Sequence, residues 1–311
     1  MASIKRFFIR DKRLHPAWRA FLFLIVYAVV LIIAQASVGV IYWLMRGGFR
    51  PEEMAPGAIP LPPYVMAAMG LVGFLAALFV AYIFRRFLDG KSFKSLGFEF
   101  REGWIGEIAL GFVVGFLLMG SIFLVQWVPG WLILEGVRPL PEILSPLVWT
   151  VVFLIPAAAQ EELVFRGYFF QNMKEAFGTA AAVVVSSLLF GLFHGANPHV
   201  TWLAIVSLVL AGALFACAYL VTGNLWLPIA LHFAWNFFEG PVFGFPVSGI
   251  RMESLLQVSV GRGIPLITGG AFGPEGGLVG IGANLVGIGL LMFLRRQKPS
   301  QEKLQHSPNE S

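Results

Sequence analysis

The sequence predicts an all-α protein, a polytopic membrane helix bundle of about eight transmembrane helices with both termini cytoplasmic. Three observations predict it. Of 311 residues, 58% are hydrophobic and only 13% charged, with a mean hydropathy of +0.79, whereas a soluble domain carries about 25% charged residues. Mostly apolar stretches near twenty residues long recur along the chain, and a helix of that length crosses a hydrocarbon layer of roughly 30 Å. Lys and Arg gather in alternate connections between those stretches, the asymmetry that orients membrane helices. The same facts exclude other classes. The single cysteine, Cys217, lies inside an apolar run, so there is no disulfide framework. The net charge of +5 flanks apolar segments instead of forming a binding stripe, so no nucleic-acid partner is expected.

The first span covers 18–45, after Lys5, Arg6, Arg10, Lys12, Arg13 and Arg19. It is longer than the roughly 7–15 apolar residues of a signal peptide, and no small-residue cleavage site ends it, so it is expected to remain as an anchor. A Pro/Gly-rich connection at 47–63 leads to a span at 64–84. A basic connection with Arg85, Arg86, Lys91, Lys94 and Arg101 then precedes a third span at 104–126. Trp127, Pro129 and Trp131 mark its interfacial exit. The fourth span, 143–170, contains Pro156 and several charges. Spans at 179–193, 202–221 and a short one at 225–238 follow on brief connections. A long Gly/Pro-rich loop at 240–277 leads to the last span, 278–294, and Arg295, Arg296 and Lys298 open a polar tail expected to be disordered. The chain thus divides into an N-terminal region of three helices (1–142), a four-helix core (143–240), a loop with the last helix (241–294) and a tail (295–311). The N-terminus, the 85–101 connection and the tail are basic, whereas 46–63, 127–142 and 240–277 hold few Lys or Arg. An even number of spans reconciles all six segments.

Ionisable groups inside spans carry the functional signal. Each costs roughly 2.5–3.5 kcal/mol at a helix centre, so such groups tend to be paired or functional. The fourth span contains Glu161, Glu162 and Arg166 within about one and a half turns. Glu162 and Arg166 stand at i,i+4 in the order that favours an ion pair, and Glu161 points about 100° away from Glu162. His194 ends the run Phe190-Gly191-Leu192-Phe193-His194. On a third span His232 and Asn236 share one face at i,i+4. Each has an ordinary explanation taken alone. A Glu–Arg pair can be a satisfied internal bridge, a buried His can bond a backbone carbonyl, and an Asn can join two helices. A second carboxylate and two histidines on neighbouring apolar spans are harder to explain separately.

Two chemistries suit the set. A carboxylate held against a histidine can deprotonate a water as general base, while a His and an Asn amide donate to the oxyanion of a tetrahedral intermediate. Alternatively, Glu161, His194 and His232 have the ligand types of an open His₂Glu zinc site.

At these residues the chain resembles the CPBP intramembrane proteases, also called the Abi family, which include CAAX prenyl protease 2, the type II CAAX endopeptidases and lysostaphin-resistance-like proteins. Residues 161–167 resemble the family's EExxxR motif, 190–194 its FxxxH motif and 232–236 its HxxxN motif, in the family's order. The resemblance spans roughly 145–240. It implies that Glu161 activates water with His194, that His232 and Asn236 form the oxyanion site, and that Arg166 orients the carboxylates through Glu162. It also implies an α-helical bundle whose cavity opens toward the cytoplasm and the membrane. The family was long described as metal-dependent; the preferred reading needs no cofactor, with zinc on Glu161, His194 and His232 as the alternative.

The expected activity is therefore endoproteolysis of a membrane-associated peptide or protein, prenylated substrates of the CAAX type included, with membrane lipid as the surrounding partner. The expected location is multi-pass in the cell membrane, the cytoplasmic membrane of a bacterium or the endoplasmic reticulum of a eukaryote. A proton-coupled transporter is a second class, but the paired broken helices that would favour transport are not evident. A non-catalytic scaffold or immunity factor is a third. Other protease chemistries fit less well. Leu88-Asp89-Gly90 resembles a site-2-type element without an HExxH, and Ser248 lies in the long loop outside any rhomboid pattern. His15, His199 and His306 fall at or beyond span ends and read as solvated or interfacial. The span boundaries leave one tension. They put Glu161 and His232 toward the cytoplasmic half and His194 roughly 20 Å from the cytoplasmic end of its span.

Overall fold

The computed structural model describes residues 8–10, 13–48 and 61–297. The polar tail from Lys298 and most of the 47–63 connection lie outside them, as do Lys5, Arg6, Lys12 and His306. A short antiparallel ladder of β1 (Ile9–Arg10) and β2 (Arg13–Leu14) leads into α1 (Pro16–Met45), whose first turn is capped by His15 accepting from the Ala17 amide. The bundle continues with α2 (Pro63–Ile83), α3 (Trp104–Trp127) and α4 (Leu140–Glu162). A π-helical stretch, Leu163–Phe169, joins α4 without a break to α5 (Phe170–Phe177). After the turn at Gly178 come α6 (Thr179–Phe193), α7 (Trp202–Thr222) and α8 (Trp226–Phe237). A one-turn helix α9 (Pro265–Thr268) precedes α10 (Leu278–Gln297).

The architecture is the expected all-α membrane bundle. Among the described residues, seven helices are long and apolar enough to cross a membrane, and α8, with 12 residues, is not one of them. The connections nevertheless show α8 traversing the bundle. The turn before it is pinned to the basic connection, with Leu225 donating its amide to the Gly97 carbonyl and Asn224 and Trp226 donating to the Glu99 carbonyl. Beyond a π-helical turn, Phe238–Val242, the chain reaches the opposite end, where β4 (Leu256–Val260) pairs with β3 (Leu132–Val137). Among the described residues, α8 thus joins the two ends of the bundle beside the seven candidate spans, where the sequence led to an expectation of eight. This β3–β4 ribbon corrects the expectation of irregular loops at 127–142 and 240–277. It runs antiparallel from Leu132↔Val260 to Val137↔Leu256 with a bulge between Leu134 and Gly136.

The fourth span also differs. Pro146 and Pro156 sit inside α4 without ending it, and the helix runs seven residues past the expected boundary at Phe170. Those seven residues hold Gln171, Asn172, Lys174 and Glu175, polar enough to read as an exit from the membrane. They stay helical because Phe170 and Met173 are buried while Glu175 is held by Arg19 and Lys91 at 2.9 and 2.6 Å. Next to them lies Asp89, fully buried, with Arg19 at 2.6 Å, Arg85 at 3.0 Å and the Tyr168 hydroxyl at 3.0 Å. The Asp89 carboxylate thus ties α1, α2 and the α4–α5 helix together, a structural role and not a site-2-type element.

Helices approach closely where they carry glycine, as membrane packing favours. A Cβ on Gly111 of α3 would lie 2.5 Å from the Leu227 carbonyl oxygen and 2.8 Å from the Leu231 nitrogen of α8. Gly111→Val is therefore expected to destabilise the bundle by about 1–3 kcal/mol through overpacking. Thermal unfolding in detergent would register it as a lowered midpoint. Gly106→Ala, with open space at its Cβ, serves as the control that should leave the midpoint in place.

Candidate active site

Three segments deliver the polar groups to one depth. Glu161 lies sixteen residues before the end of α5, or about 24 Å along a helix. His194 caps the C-terminus of α6, fifteen residues from Thr179, or about 22 Å. Both distances start from the Gly178 turn, so the two groups meet. The tension over His194 came from ending the fourth span at Phe170. His232 arrives by another route. The α7–α8 turn is sunk into the bundle, where Leu225, fully buried, packs beside Gly167. From there two helical turns raise His232 to the level of Glu161.

Glu162 and Arg166 form the buried foundation. Both side chains are fully buried, with Nη1 of Arg166 3.2 Å from Oε1 of Glu162. Nη2 of Arg166 donates to the Gly212 carbonyl at 2.9 Å. That contact depends on a close approach of α7, since a Cβ on Gly212 would meet the Ser187 Cα at 2.8 Å. The guanidinium also faces the rings of Phe190 and Phe215, at 4.6 and 5.3 Å from their centroids, an attraction between a cation and the negative ring faces. The same Oε1 of Glu162 lies 2.9 Å from Nδ1 of His232. The imidazole stacks on Phe215 at 4.5 Å with 16° between planes, which fixes its orientation.

The tautomers follow from the partners. Nδ1 of His194 lies 2.8 Å from the Phe190 carbonyl oxygen; a carbonyl only accepts, so Nδ1 carries the proton. Nδ1 of His232 faces a carboxylate and donates likewise. Both rings thus direct Nε2 to the same place, 3.8 Å (His194) and 4.0 Å (His232) from Oε2 of Glu161. That carboxylate oxygen is buried and has no hydrogen-bond partner. A carboxylate oxygen and two imidazole nitrogens converge on one gap, and in their neutral tautomers the rings offer only lone pairs to it. A water, with two protons to donate, suits such a gap.

The donor set is also of the kind zinc takes, but the arrangement does not fit it. Tetrahedral bonds of about 2.1 Å draw ligand atoms to roughly 3.4 Å from one another, closer than either gap here. Among the described residues no group of three His, Cys, Asp or Glu side chains is placed to hold a metal ion.

The cavity beside the gap has a volume of about 210 Å³ and is lined by Glu161, His194, His232 and Asn236. All six residues singled out from the sequence are thus brought together, four on the cavity wall and Glu162 and Arg166 behind it. Sequence reasoning missed Asn197, Ser248 and Glu275, which line the same cavity. Glu275 accepts from Trp235 Nε1 at 3.1 Å, from the Ser248 amide at 3.0 Å and from its hydroxyl at 2.5 Å. A lone carboxylate inside the Gly/Pro-rich run 273–277 was the available signal for Glu275. Ser248 gave none beyond its place in the long loop, and it bonds a carboxylate, not a histidine.

Fold and site together define a polytopic membrane protein with a carboxylate–imidazole centre inside its apolar bundle. Residues 143–238 match the Rce1-like family, described as type II CAAX prenyl endopeptidase Rce1-like. The match covers this core, and it supports membership of the CAAX protease family and, in general terms, a CAAX-type intramembrane protease. No curated protein and no solved structure matches it at a significant level.

Proposed function

We propose that the chain hydrolyses a peptide bond of a membrane-associated substrate, CAAX-type prenylated peptides included, through a water held by Glu161 and His194, with His232 and Asn236 at the oxyanion. The observation that carries this reading is the convergence of Glu161 Oε2 with the Nε2 atoms of His194 and His232 on a gap of 3.8–4.0 Å. In the reaction Glu161 takes a proton from the water as its oxygen bonds to the scissile carbonyl carbon. Nε2 of His194 accepts the water's other hydrogen and fixes its direction of attack. With Glu162 bound at Nδ1, His232 can carry a second proton at Nε2 and donate it as a hydrogen bond to the oxyanion. Asn236, one turn further along α8, supplies the second donor. The proton on Glu161 then passes to the amine nitrogen as the carbon–nitrogen bond breaks, and Glu161 is restored. Arg166 and Glu162 act behind the site by holding His232 in position. No step requires a cofactor.

The test is cleavage of a fluorogenic prenylated peptide by detergent-purified protein, with and without chelator. The expected result is cleavage at the same rate in both. A chelator-sensitive rate would move the mechanism to a metal, and an inert but folded protein would remove CAAX peptides from its substrates.

A further inference from the structure

The loop at 240–277 lies outside the family match at 143–238, yet it fastens two of the matched helices to each other. His194 caps the C-terminus of α6 and opens a single 3₁₀ turn, His194–Ala196. The chain around it is loosely held, with Gly195, Ala196, Pro198 and His199 exposed. Helix ends in such surroundings open readily. His232 and Asn236, by contrast, ride on α8 beside the fully buried Trp235. In the reaction proposed above, both sides must act on one carbonyl group, His194 through the water and His232 with Asn236 at the oxyanion. The spacing between the end of α6 and α8 therefore matters more than the place of either.

Four residues bridge that spacing. Asn197, three residues past His194, donates Nδ2 to the Ser248 carbonyl at 3.1 Å. Ser248 donates its amide and its hydroxyl to Oε2 of Glu275, at 3.0 and 2.5 Å. Oε1 of Glu275 accepts at 3.1 Å from Nε1 of Trp235, the residue before Asn236. A brace thus runs Asn197–Ser248–Glu275–Trp235 from the end of α6 to α8, and three of its four hydrogen bonds meet on the Glu275 carboxylate. The backbone carries the mark of this attachment. Among the described residues two non-glycine residues have positive φ, His199 at 57° and Ser248 at 46°, one on each side of the joint. Such conformations persist only where the surroundings over-determine them. At the joint Gly249, with a φ of 87°, donates its amide to the Phe272 carbonyl at 2.7 Å, and a Cβ there would collide with the Pro198 carbonyl oxygen.

We infer that Glu275 is a positioning residue of the hydrolytic reaction: through Ser248 and Asn197 it holds the His194 end of α6 against α8, at the spacing that sets the attacking water opposite the oxyanion donors. The inference rests on the hydrolase reading above. The long loop is then part of the frame of the site and not merely a connection.

Asn197→Ala and Glu275→Ala cut the brace at two links. In detergent-purified full-length protein acting on the fluorogenic prenylated peptide, each is expected to lower kcat per folded molecule about 10–100-fold, the scale of a displacement near 1 Å. KM should stay nearly unchanged, because the loss belongs to the transition state. Cutting one brace twice adds nothing, so the double variant should be no slower than the slower single one. A merely structural role would lower the unfolding midpoint and the yield but leave kcat per folded molecule in place. Unchanged kcat in folded Asn197→Ala, an effect on KM alone, or a double variant slowed by the product of the two single effects overturns the inference. Asn197 is half-buried, and its variant decides the question even where Glu275→Ala does not fold. Backbone hydrogen exchange over 192–199 in the same preparations follows the brace without turnover. Faster exchange in both variants is expected, and unchanged exchange overturns the brace. A wild type inert on the peptide would remove the hydrolase reading and the role in it, whereas exchange would still decide whether Glu275 holds the end of α6.

Discussion

Glu161→Gln is expected to lower kcat by about 10²–10⁴-fold, the usual contribution of a general base, while leaving the protein folded. Gln keeps the shape of the side chain and cannot take a proton from water. Oε2 of Glu161 makes no hydrogen bond, and its side chain is 29% exposed, so little of the fold depends on its charge. KM should change little, because the lost interaction belongs to the transition state and not to substrate binding. Progress curves on the fluorogenic peptide, with an unfolding scan of the same preparations, separate the two effects. A variant that retains more than about a tenth of wild-type kcat would place the base elsewhere. Glu275 is another carboxylate on the cavity wall.

The second large effect is on stability. Arg166→Met removes a cation that is fully buried, bonded to Glu162 and to the Gly212 carbonyl and enclosed by three phenylalanine rings. What remains is a buried Glu162 carboxylate with only His232 against it. Breaking a buried pair from one side costs about 3–5 kcal/mol, chiefly through the stranded charge. The expected result is a lower unfolding midpoint and a poor yield of folded protein. Glu162→Gln combined with Arg166→Met strands no charge and should recover part of the loss, though not activity, since His232 loses its partner. Equal stability of the single and double variants would show that the stranded charge is not the source of the cost. The two expected results together would divide the motif by role, Glu161 serving turnover and Glu162 the fold.

Much of this was legible in the sequence because membrane helices write their constraints plainly. Apolar length marked the spans, and i,i+4 spacing placed Glu162 with Arg166 and His232 with Asn236. What was not legible depended on distant partners. The polar run Gln171–Glu175 reads as the end of a span, and only Arg19 and Lys91, from other parts of the chain, make it a helix. That misplaced end is what set Glu161 too near the cytoplasmic end, out of level with His194. The β3–β4 ribbon joins strands more than a hundred residues apart with no local turn to signal it. For the same reason nothing near Ser248 or Glu275 in sequence announces that the long loop folds back over the site.

The Asp89 tie has a mechanical side. In α1 the buried residues all lie between Pro16 and Tyr27, with Arg19 gripping Asp89 and Glu175. Further along, Ile32, Ile33, Ile41, Leu44 and Met45 are exposed. There, Gln35 donates to the Met69 carbonyl beside a lateral cavity that both residues line with Glu161. A rod footed at one end is a lever. From Arg19 to Met45 is about 39 Å of helix, so a swing of about 10° at the foot displaces the tip by about 7 Å, more than the diameter of a peptide backbone. An ion-paired root on the far side of the bundle thus holds the angle of this pole, and the Gln35 bond to Met69 steadies it beside the sideways mouth.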